Sequence, residues 1–208
     1  MRVIAGVLGG RSLVAPRGQG TRPTSDRVRE ALFNVLGDVT GAVVLDLYAG
    51  TGALGIEALS RGATRAVFVE NGRPALASLR SNLEALGLTA SSAIVASPVL
   101  RAVRGLSSYG PFDLVLADPP YANLVEAVEA LELAAAQCAD RARIVLEHAS
   151  RDAAPVPAGL IWQATRRYGD TSLSFYSVGT ARDGDAAPGI DDLGQGACED
   201  VSSDDVDG

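Results

Sequence analysis

The tetrapeptide Asp118-Pro119-Pro120-Tyr121 combines residues that could hold an amino group beside a planar ring. Because proline has no backbone N–H, the two prolines remove two donors and leave acceptors at this point of the chain. The Asp118 carboxylate and the Pro119 carbonyl can accept the two N–H bonds of an exocyclic amine, and Tyr121 offers an aromatic face. We interpret the motif as a pocket for a nucleobase amino group; a strand-ending turn with a surface tyrosine is the alternative.

An exocyclic amine on a nucleobase is a weak nucleophile because its lone pair is delocalised into the ring. Acceptors that hold both N–H bonds favour a tetrahedral nitrogen, whose lone pair then points at an electrophilic methyl group. A sulfonium donor leaves as a neutral thioether, so positioning and preorganised electrostatics are the main contributions. Stacking on Tyr121 would contribute about 1–3 kcal/mol of binding free energy. This would offset part of the cost of pulling the base from its stack in the RNA.

A glycine loop is the second motif that could do chemistry. Gly50, Gly52 and Gly55 have the spacing G-x-G-x-x-G between a predicted strand and a predicted helix. Glycine lets the backbone approach a ligand closely, and a helix start favours an anionic group. Glu70 ends the next strand, where a carboxylate can accept hydrogen bonds from ribose hydroxyls. The pattern predicts a nucleoside-containing cofactor; a tight packing turn beside a chance surface glutamate is the alternative.

Asp46 discriminates between two kinds of cofactor that the glycine loop could bind. A dinucleotide enzyme would use the same glycines for pyrophosphate, and a carboxylate near the end of that strand is poorly placed beside a pyrophosphate. S-adenosylmethionine has an α-ammonium group and a ribose but no phosphate. Asp46, the glycine loop and Glu70 therefore favour S-adenosylmethionine, and a nicotinamide-dependent dehydrogenase remains the alternative.

Strands alternate with helices after residue 42, which predicts a doubly wound, mostly parallel sheet. Ligands of such sheets bind at the carboxyl ends of the strands, so both motifs are expected at one edge. The predicted strands, with an antiparallel hairpin at the end, cover residues 43–48, 66–70, 93–96, 112–117, 142–147, 160–168 and 171–178.

The residues before this sheet are expected to form a hairpin-and-helix arm. Segments 2–7 and 11–15 flank two glycines, which predicts two short strands. Apolar residues at i, i+3, i+4, i+7 and i+8 predict a helix over residues 26–36. The expected organisation is an RNA-facing arm (1–37), a Rossmann-like domain (38–178) and a disordered acidic tail (179–208).

The net charge of −7 conceals a basic body. Residues 183–208 hold nine acidic residues and no basic one, so the preceding residues carry a net +2, and residues 1–30 alone carry +4. A basic front end suits a nucleic-acid partner. No apolar run approaches the roughly 20 residues of a membrane helix. Cys138 and Cys198 have no metal-ligand spacing, so we expect no metal site, no membrane and a reducing cytoplasm.

Several separate motifs resemble one family. The tetrapeptide is similar to that of amino-group methyltransferases of the (Asn/Asp)-Pro-Pro-(Tyr/Phe) type, and the rest of the chain over about residues 1–178 looks like the RsmD family. The motifs are Arg2-Val3-Ile4-Ala5-Gly6, Gly10-Arg11, Thr21-Arg22-Pro23-Thr24, residues 26–34, residues 45–52 and Tyr168-Gly169-Asp170-Thr171. The resemblance implies a seven-stranded class I methyltransferase fold. It also implies methyl transfer from S-adenosylmethionine to the 2-amino group of one guanine in 16S ribosomal RNA of the small subunit.

The resemblance also assigns roles to residues. It implies that Asp118, Pro119 and Tyr121 hold the target guanine. It implies a cofactor site made of Asp46, Tyr48, Ala49, Gly50, Gly52, Glu70, Asn71 and Asp118, and RNA contacts from Arg11, Arg22, Arg27 and Arg29. Ala96-Ser97 occupies the place where such families often have an acid near the adenine.

The expected partner is 16S ribosomal RNA within a small-subunit assembly intermediate, bound by a monomer. Alternatives are an amino-group methyltransferase acting on adenine in another nucleic acid or on a glutamine side chain, and a non-catalytic RNA-binding assembly module. In the last case the arginines would matter and Asp118 would not.

Overall fold

The computed structural model describes residues 1–16 and 26–179. Expectations for Arg22 and for the acidic tail beyond residue 179 lie outside the described residues. The helices are α1 (Asp26–Leu36), α2 (Ala53–Ser60), α3 (Arg73–Ala85), α4 (Val99–Val103) and α5 (Leu124–Ala135). The strands are β1 (Val43–Leu47), β2 (Arg65–Glu70), β3 (Ser92–Ala96), β4 (Phe112–Ala117), β5 (Cys138–Ala149), β6 (Leu160–Tyr168) and β7 (Thr171–Val178). None of the helices in these two ranges is long and apolar enough to cross a membrane.

The strands form one seven-stranded sheet in the order β3-β2-β1-β4-β5-β7-β6. Strands β1 to β5 pair in parallel, and β7 lies antiparallel between β5 and β6. The predicted doubly wound sheet with an antiparallel terminal hairpin is confirmed. The strand order reverses at β1 and β4, which are neighbours with Leu47 opposite Ala117. The loops that follow these two strands therefore open at the same crevice, where ligands of such sheets bind.

Each face of the sheet is covered by its own hydrophobic cluster. Helices α1, α2 and α3 pack on one face, and α4 and α5 pack on the other. Side chains alternate along a strand, so Val44 enters the first cluster and Leu45 and Leu47 the second. By this alternation Asp46 lies on the α2 face, where an apolar residue would otherwise continue the pattern.

The hairpin that the sequence predicts at the N-terminus is present, but it is shorter than predicted. Arg2 and Ser12 form an isolated antiparallel bridge, without an extended ladder. The backbone N–H groups of Ile4 and Ala5 donate instead to the Glu57 carboxylate of α2, at 2.7 and 3.0 Å. The segment pairs with itself only over residues 1–3 and 10–13, where the N–H groups of Val3, Gly10 and Leu13 donate to backbone carbonyls at 2.9 to 3.1 Å. Beyond this pairing, the bonds to Glu57 attach it to the sheet domain.

Helix α1 is confirmed at its predicted bounds, but Arg29 on it is wrongly predicted to meet RNA. Its side chain is fully buried, and its guanidinium lies 3.0 Å from Asp26 and 3.8 Å from Glu57. It also donates to the backbone carbonyl of Arg2. Burial lowers the pKa of Arg29, and the two carboxylates oppose this shift. Arg29 therefore ties α1 to α2 and to the N-terminal segment, and no phosphate can reach it.

Candidate active site

Asp46 lies beneath the crevice. Its side chain is buried, and Oδ2 accepts a hydrogen bond from the backbone N–H of Gly55, 2.9 Å away. Burial raises the pKa of Asp46 to about 8; the Gly55 hydrogen bond lowers it, and the negative charges of Asp118 and Glu70 raise it further. Asp46 of β1, Glu70 at the end of β2 and Asp118 after β4 thus lie close enough for their charges to interact. Because Asp46 is largely protonated at neutral pH, the charges of Glu70 and Asp118 are the ones that favour a cationic ligand and disfavour a pyrophosphate.

Glu70 organises the loops on both sides of it. Oε2 accepts the backbone N–H of Gly50 at 2.8 Å, and Oε1 accepts those of Asn71 at 2.8 Å and Gly72 at 2.7 Å. A carboxylate has about four acceptor positions. Three are in use here, which leaves about one free; that Glu70 binds a ribose hydroxyl stays a prediction. The exposed Asn71 lies directly beside it.

The glycines of the loop after β1 serve two purposes. Gly50 and Gly52 have φ of +57° and +83°, a backbone region that other residues rarely adopt. A Cβ on Gly52 would lie 2.4 Å from Leu79 Cδ1, and one on Gly55 would lie 2.4 Å from a ring carbon of Phe68. A Cβ on Gly50 would meet nothing closer than 3.9 Å. Gly52 and Gly55 therefore permit packing, while Gly50 borders open space where a ligand can approach.

Tyr48 and Ala49 begin this loop. Tyr48 has φ of +60°, and its hydroxyl donates to Oε1 of Glu126 on α5, 3.3 Å away. Burial raises the pKa of Tyr48, and the neighbouring Glu126 carboxylate adds to the shift. Ala49 is buried, and its N–H donates to the carbonyl of Val69 at 3.0 Å. Tyr48 thus connects the glycine loop with the helix that follows the tetrapeptide, a link that the sequence did not reveal.

The tetrapeptide lies at the end of β4, beside the glycine loop. The backbone N–H of Asp118 donates to the carbonyl of Leu47, 3.5 Å away. The next residue, Pro119, is buried. Tyr121 begins a short 3₁₀ turn, and its hydroxyl lies 2.9 Å from Oγ1 of Thr171, the buried first residue of β7. The terminal hairpin therefore fixes the aromatic ring of the candidate acceptor pocket. Sequence reasoning missed Thr171, although the Tyr-Gly-Asp-Thr motif contains it.

Of the predicted RNA-binding arginines that the structure describes, Arg29 is buried and Arg11 and Arg27 are exposed. Arg11 is exposed, and its guanidinium donates to the carbonyl of Ala85 at the end of α3, 3.1 Å away. Arg27 is exposed on the first turn of α1, on the far side of that helix from the buried Arg29. At the end of β3, Ala96 pairs with Glu70 and offers no side-chain acceptor for an adenine.

The strand order, the glycine loop after β1 and the acid that ends β2 define a class I methyltransferase fold. A solved Escherichia coli protein described as a putative methyltransferase, yhhF, has the same fold. It superposes with a TM-score of 0.73 and 33% identity, covering 86% of this chain and 97% of that one.

The chain belongs to the family described as "Conserved hypothetical protein 95", whose model matches residues 1–177. A Bacillus subtilis relative named "Putative rRNA methyltransferase YlbH" is 37% identical over 187 residues, 85% of this chain and 98% of the relative. "Ribosomal RNA small subunit methyltransferase D" of Escherichia coli K12 is 37% identical over 191 residues, 89% of this chain and 94% of the relative. The resemblance seen in the sequence is confirmed at the level of this RsmD-like family.

Proposed function

We propose that this protein transfers a methyl group from S-adenosylmethionine to the exocyclic 2-amino group of a guanine in 16S ribosomal RNA. The substrate would be a small-subunit assembly intermediate in the cytoplasm. One observation carries the proposal: the glycine loop after β1 and the Asp118 tetrapeptide after β4 open at one crevice, on strands that pair directly. Relatives at 37% identity that are named as ribosomal RNA methyltransferases support the choice of substrate.

The crevice fits S-adenosylmethionine, which supplies an electrophilic methyl group on a sulfonium cation. The open space at Gly50 admits a ligand against the backbone. Glu70 retains an acceptor position for a ribose hydroxyl. The negative charges of Glu70 and Asp118, which are close enough to raise the pKa of Asp46, give the field that a cation requires. The same field disfavours the pyrophosphate of a nicotinamide cofactor, so it favours a methyltransferase over a dehydrogenase.

The residues after β4 would hold the acceptor. The Asp118 carboxylate and the Pro119 carbonyl accept the two N–H bonds of the guanine 2-amino group and keep its lone pair free to attack. Asp118 would also take the proton that the nitrogen must lose once its new bond to carbon forms. Tyr121, held by Thr171, would stack on the guanine ring. These groups act by positioning and by fixed electrostatics, and they require no general acid.

Methyl transfer to small subunits purified from cells that lack this protein tests the proposal. Mass mapping of the 16S RNA is expected to show one methylated guanine. We expect Asp118→Ala to lower the transfer rate by about 10²–10³-fold, the usual loss for a preorganised electrostatic group, while calorimetry shows nearly unchanged cofactor binding. Asp140→Ala is the matched control, because Asp140 is exposed at the opposite end of the sheet, near the start of β5.

Three results would contradict this assignment. Full activity of Asp118→Ala would remove Asp118 from the acceptor site. A methyl group found on adenine or on protein would replace guanine as the substrate. RNA binding by the wild-type protein without methyl transfer would favour a non-catalytic assembly module.

A further inference from the structure

Asn82 on α3 is a buried residue whose side chain makes three hydrogen bonds outside its own helix. Its Oδ1 accepts the backbone N–H of Val14 at 2.8 Å. Its Nδ2 donates to the carbonyl of Val14 at 3.1 Å and to the carbonyl of Thr51 at 3.0 Å. An amide side chain has two N–H donors, and here each binds a different segment. One planar group therefore holds two segments that are far apart in the sequence.

Thr51 belongs to the glycine loop after β1, where the cofactor is expected. The N–H of Gly50 donates to Oε2 of Glu70 at 2.8 Å, and the carbonyl of Thr51 accepts from Asn82 at 3.0 Å. Two successive residues of the loop are thus anchored by two different elements, β2 and α3. Because a Cβ on Gly50 would meet nothing closer than 3.9 Å, this part of the loop borders open space. Asn82 therefore helps to set how the backbone at Gly50 and Thr51 faces a ligand.

The N-terminal segment (residues 1–16) lies against the last turn of α3 at the same place. Val14 is bound there by Asn82 through both its N–H and its carbonyl. Arg11 donates through Nη2 to the carbonyl of Ala85, 3.1 Å away. The segment contains two arginines and no acidic residue. Since Arg11 is exposed and keeps other N–H groups for a phosphate, a polyanion bound to it would hold the stretch of backbone that Asn82 also holds.

We propose that Asn82 is a positioning residue that couples the N-terminal segment to the glycine loop, so that cofactor and RNA each strengthen the binding of the other. The inference rests on the proposed function. If the segment moves away, Asn82 loses both bonds to Val14, and its donor to Thr51 is no longer held in one orientation. A cofactor that fixes the loop fixes the same amide, and the segment with it. Because such linkage is reciprocal, each ligand raises the affinity for the other by the same factor, which is about 5–150-fold in typical cases.

Asn82→Asp and Asn82→Ala in the full-length protein test this coupling. An aspartate keeps the size of the side chain and the acceptor for the Val14 N–H, but its carboxylate has no donor for the two carbonyls. Alanine removes all three bonds without adding a charge. Leu83→Ala is the matched control, because Leu83 is the next residue of α3 and is buried in the hydrophobic core. Its truncation weakens the packing of α3 and removes no hydrogen bond to Val14 or Thr51.

The measurements compare each ligand alone with both ligands together. Calorimetry gives the affinity for S-adenosylhomocysteine, the unreactive product of the cofactor. Fluorescence anisotropy gives the affinity for the small-subunit particles, with and without saturating S-adenosylhomocysteine. For the wild type we expect at least about fivefold tighter particle binding when the product is present.

For both Asn82 variants this ratio of particle affinities should fall to about one. Their affinity for S-adenosylhomocysteine should fall by about 2–12-fold, the effect of one lost hydrogen bond to the loop. A residue that only stabilises α3 would leave the ratio unchanged, which is the result expected for Leu83→Ala. The Tm of every variant is measured as well, so that the loss of stability is known for each.

The outcomes separate this inference from the proposed function. If the wild-type protein transfers no methyl group to the particles, both fail. If it methylates them but shows no cooperativity, or if the Asn82 variants keep the wild-type ratio, only the coupling role of Asn82 is refuted. If Leu83→Ala loses the ratio as the Asn82 variants do, the coupling reflects the stability of α3, and the amide of Asn82 has no specific part in it.

Discussion

Gly50 and Gly52 are two residues apart in one loop, and alanine at each should have a different effect. Both have positive φ, so each alanine costs about 1–2 kcal/mol of strain. At Gly52 the new Cβ would also lie 2.4 Å from Cδ1 of the buried Leu79. Overpacking of this kind adds about 1–3 kcal/mol. We therefore expect Gly52→Ala to lose about 2–5 kcal/mol of unfolding free energy and Gly50→Ala about 1–2 kcal/mol.

Thermal unfolding and cofactor titration together measure this difference. For a chain of this size each kcal/mol shifts Tm by about 2–4 °C. Gly87→Ala is the control, because Gly87 has φ of +70° and a Cβ there would meet nothing within 4 Å. We expect Gly50→Ala to match Gly87→Ala in Tm but to bind S-adenosylmethionine about tenfold more weakly, because its Cβ intrudes where the ligand would contact the backbone.

The effects at Gly50 and Gly52 can be refuted separately. If Gly50→Ala binds the cofactor as tightly as Gly87→Ala does, the open space at Gly50 is not part of the cofactor site. If Gly52→Ala is no less stable than Gly87→Ala, Leu79 moves aside without cost and Gly52 is required only for its backbone conformation.

Two further predictions concern Asp46 and Thr171. The pKa of Asp46 in the folded protein is about 8, above its ordinary value of 3.8, so its contribution to stability is fully present below pH ~4 and is lost as pH rises through about 8. Urea unfolding between pH 4 and 8 should show up to ~1.4 kcal/mol of lost stability per pH unit from this group. Asp46→Asn should flatten this pH dependence. A variant whose stability depends on pH as the wild type's does would contradict the raised pKa of Asp46. Thr171→Val removes the hydrogen bond to Tyr121 and should lower kcat/KM for RNA by about 2–12-fold, the equivalent of ~0.5–1.5 kcal/mol. Cofactor affinity should be unchanged and Thr171→Ser should restore activity, whereas a valine variant with wild-type kinetics would exclude a positioning role.

The positions of the chemical groups at the strand ends could be predicted from the sequence. A parallel sheet buries its strands as short apolar runs, and the polar or proline residue that ends each run marks the carboxyl edge. Glu70 follows such a run at the end of β2, and Asp118-Pro119 follows one at the end of β4. Because ligands of such sheets bind at this edge, Glu70 and Asp118 could be predicted to lie at one crevice.

The contacts that hold these groups could not be predicted in the same way. Tyr121 and Thr171 are 50 residues apart, and no local pattern reports a hydrogen bond between them. The prediction that Arg29 contacts RNA was wrong for a related reason. A charged residue next to an apolar stripe is ordinarily exposed to solvent. The burial of Arg29 is compensated by Asp26, one turn earlier on α1, together with Glu57, which only the tertiary packing of α2 brings near. The same Glu57 carboxylate accepts the N–H groups of Ile4 and Ala5, which a longer N-terminal hairpin would have used.

In the proposed complex the protein must bind a cationic donor and a polyanionic acceptor side by side. If acids and arginines shared one surface they would pair with each other and leave little field for either ligand. The fold avoids this by holding Glu70 and Asp118 at the ends of β2 and β4, with Asp46 buried beside them, and by exposing Arg27 on the first turn of α1. Because exposed charges are screened over about 8–10 Å at physiological salt, charges on separate elements can each act on a different ligand.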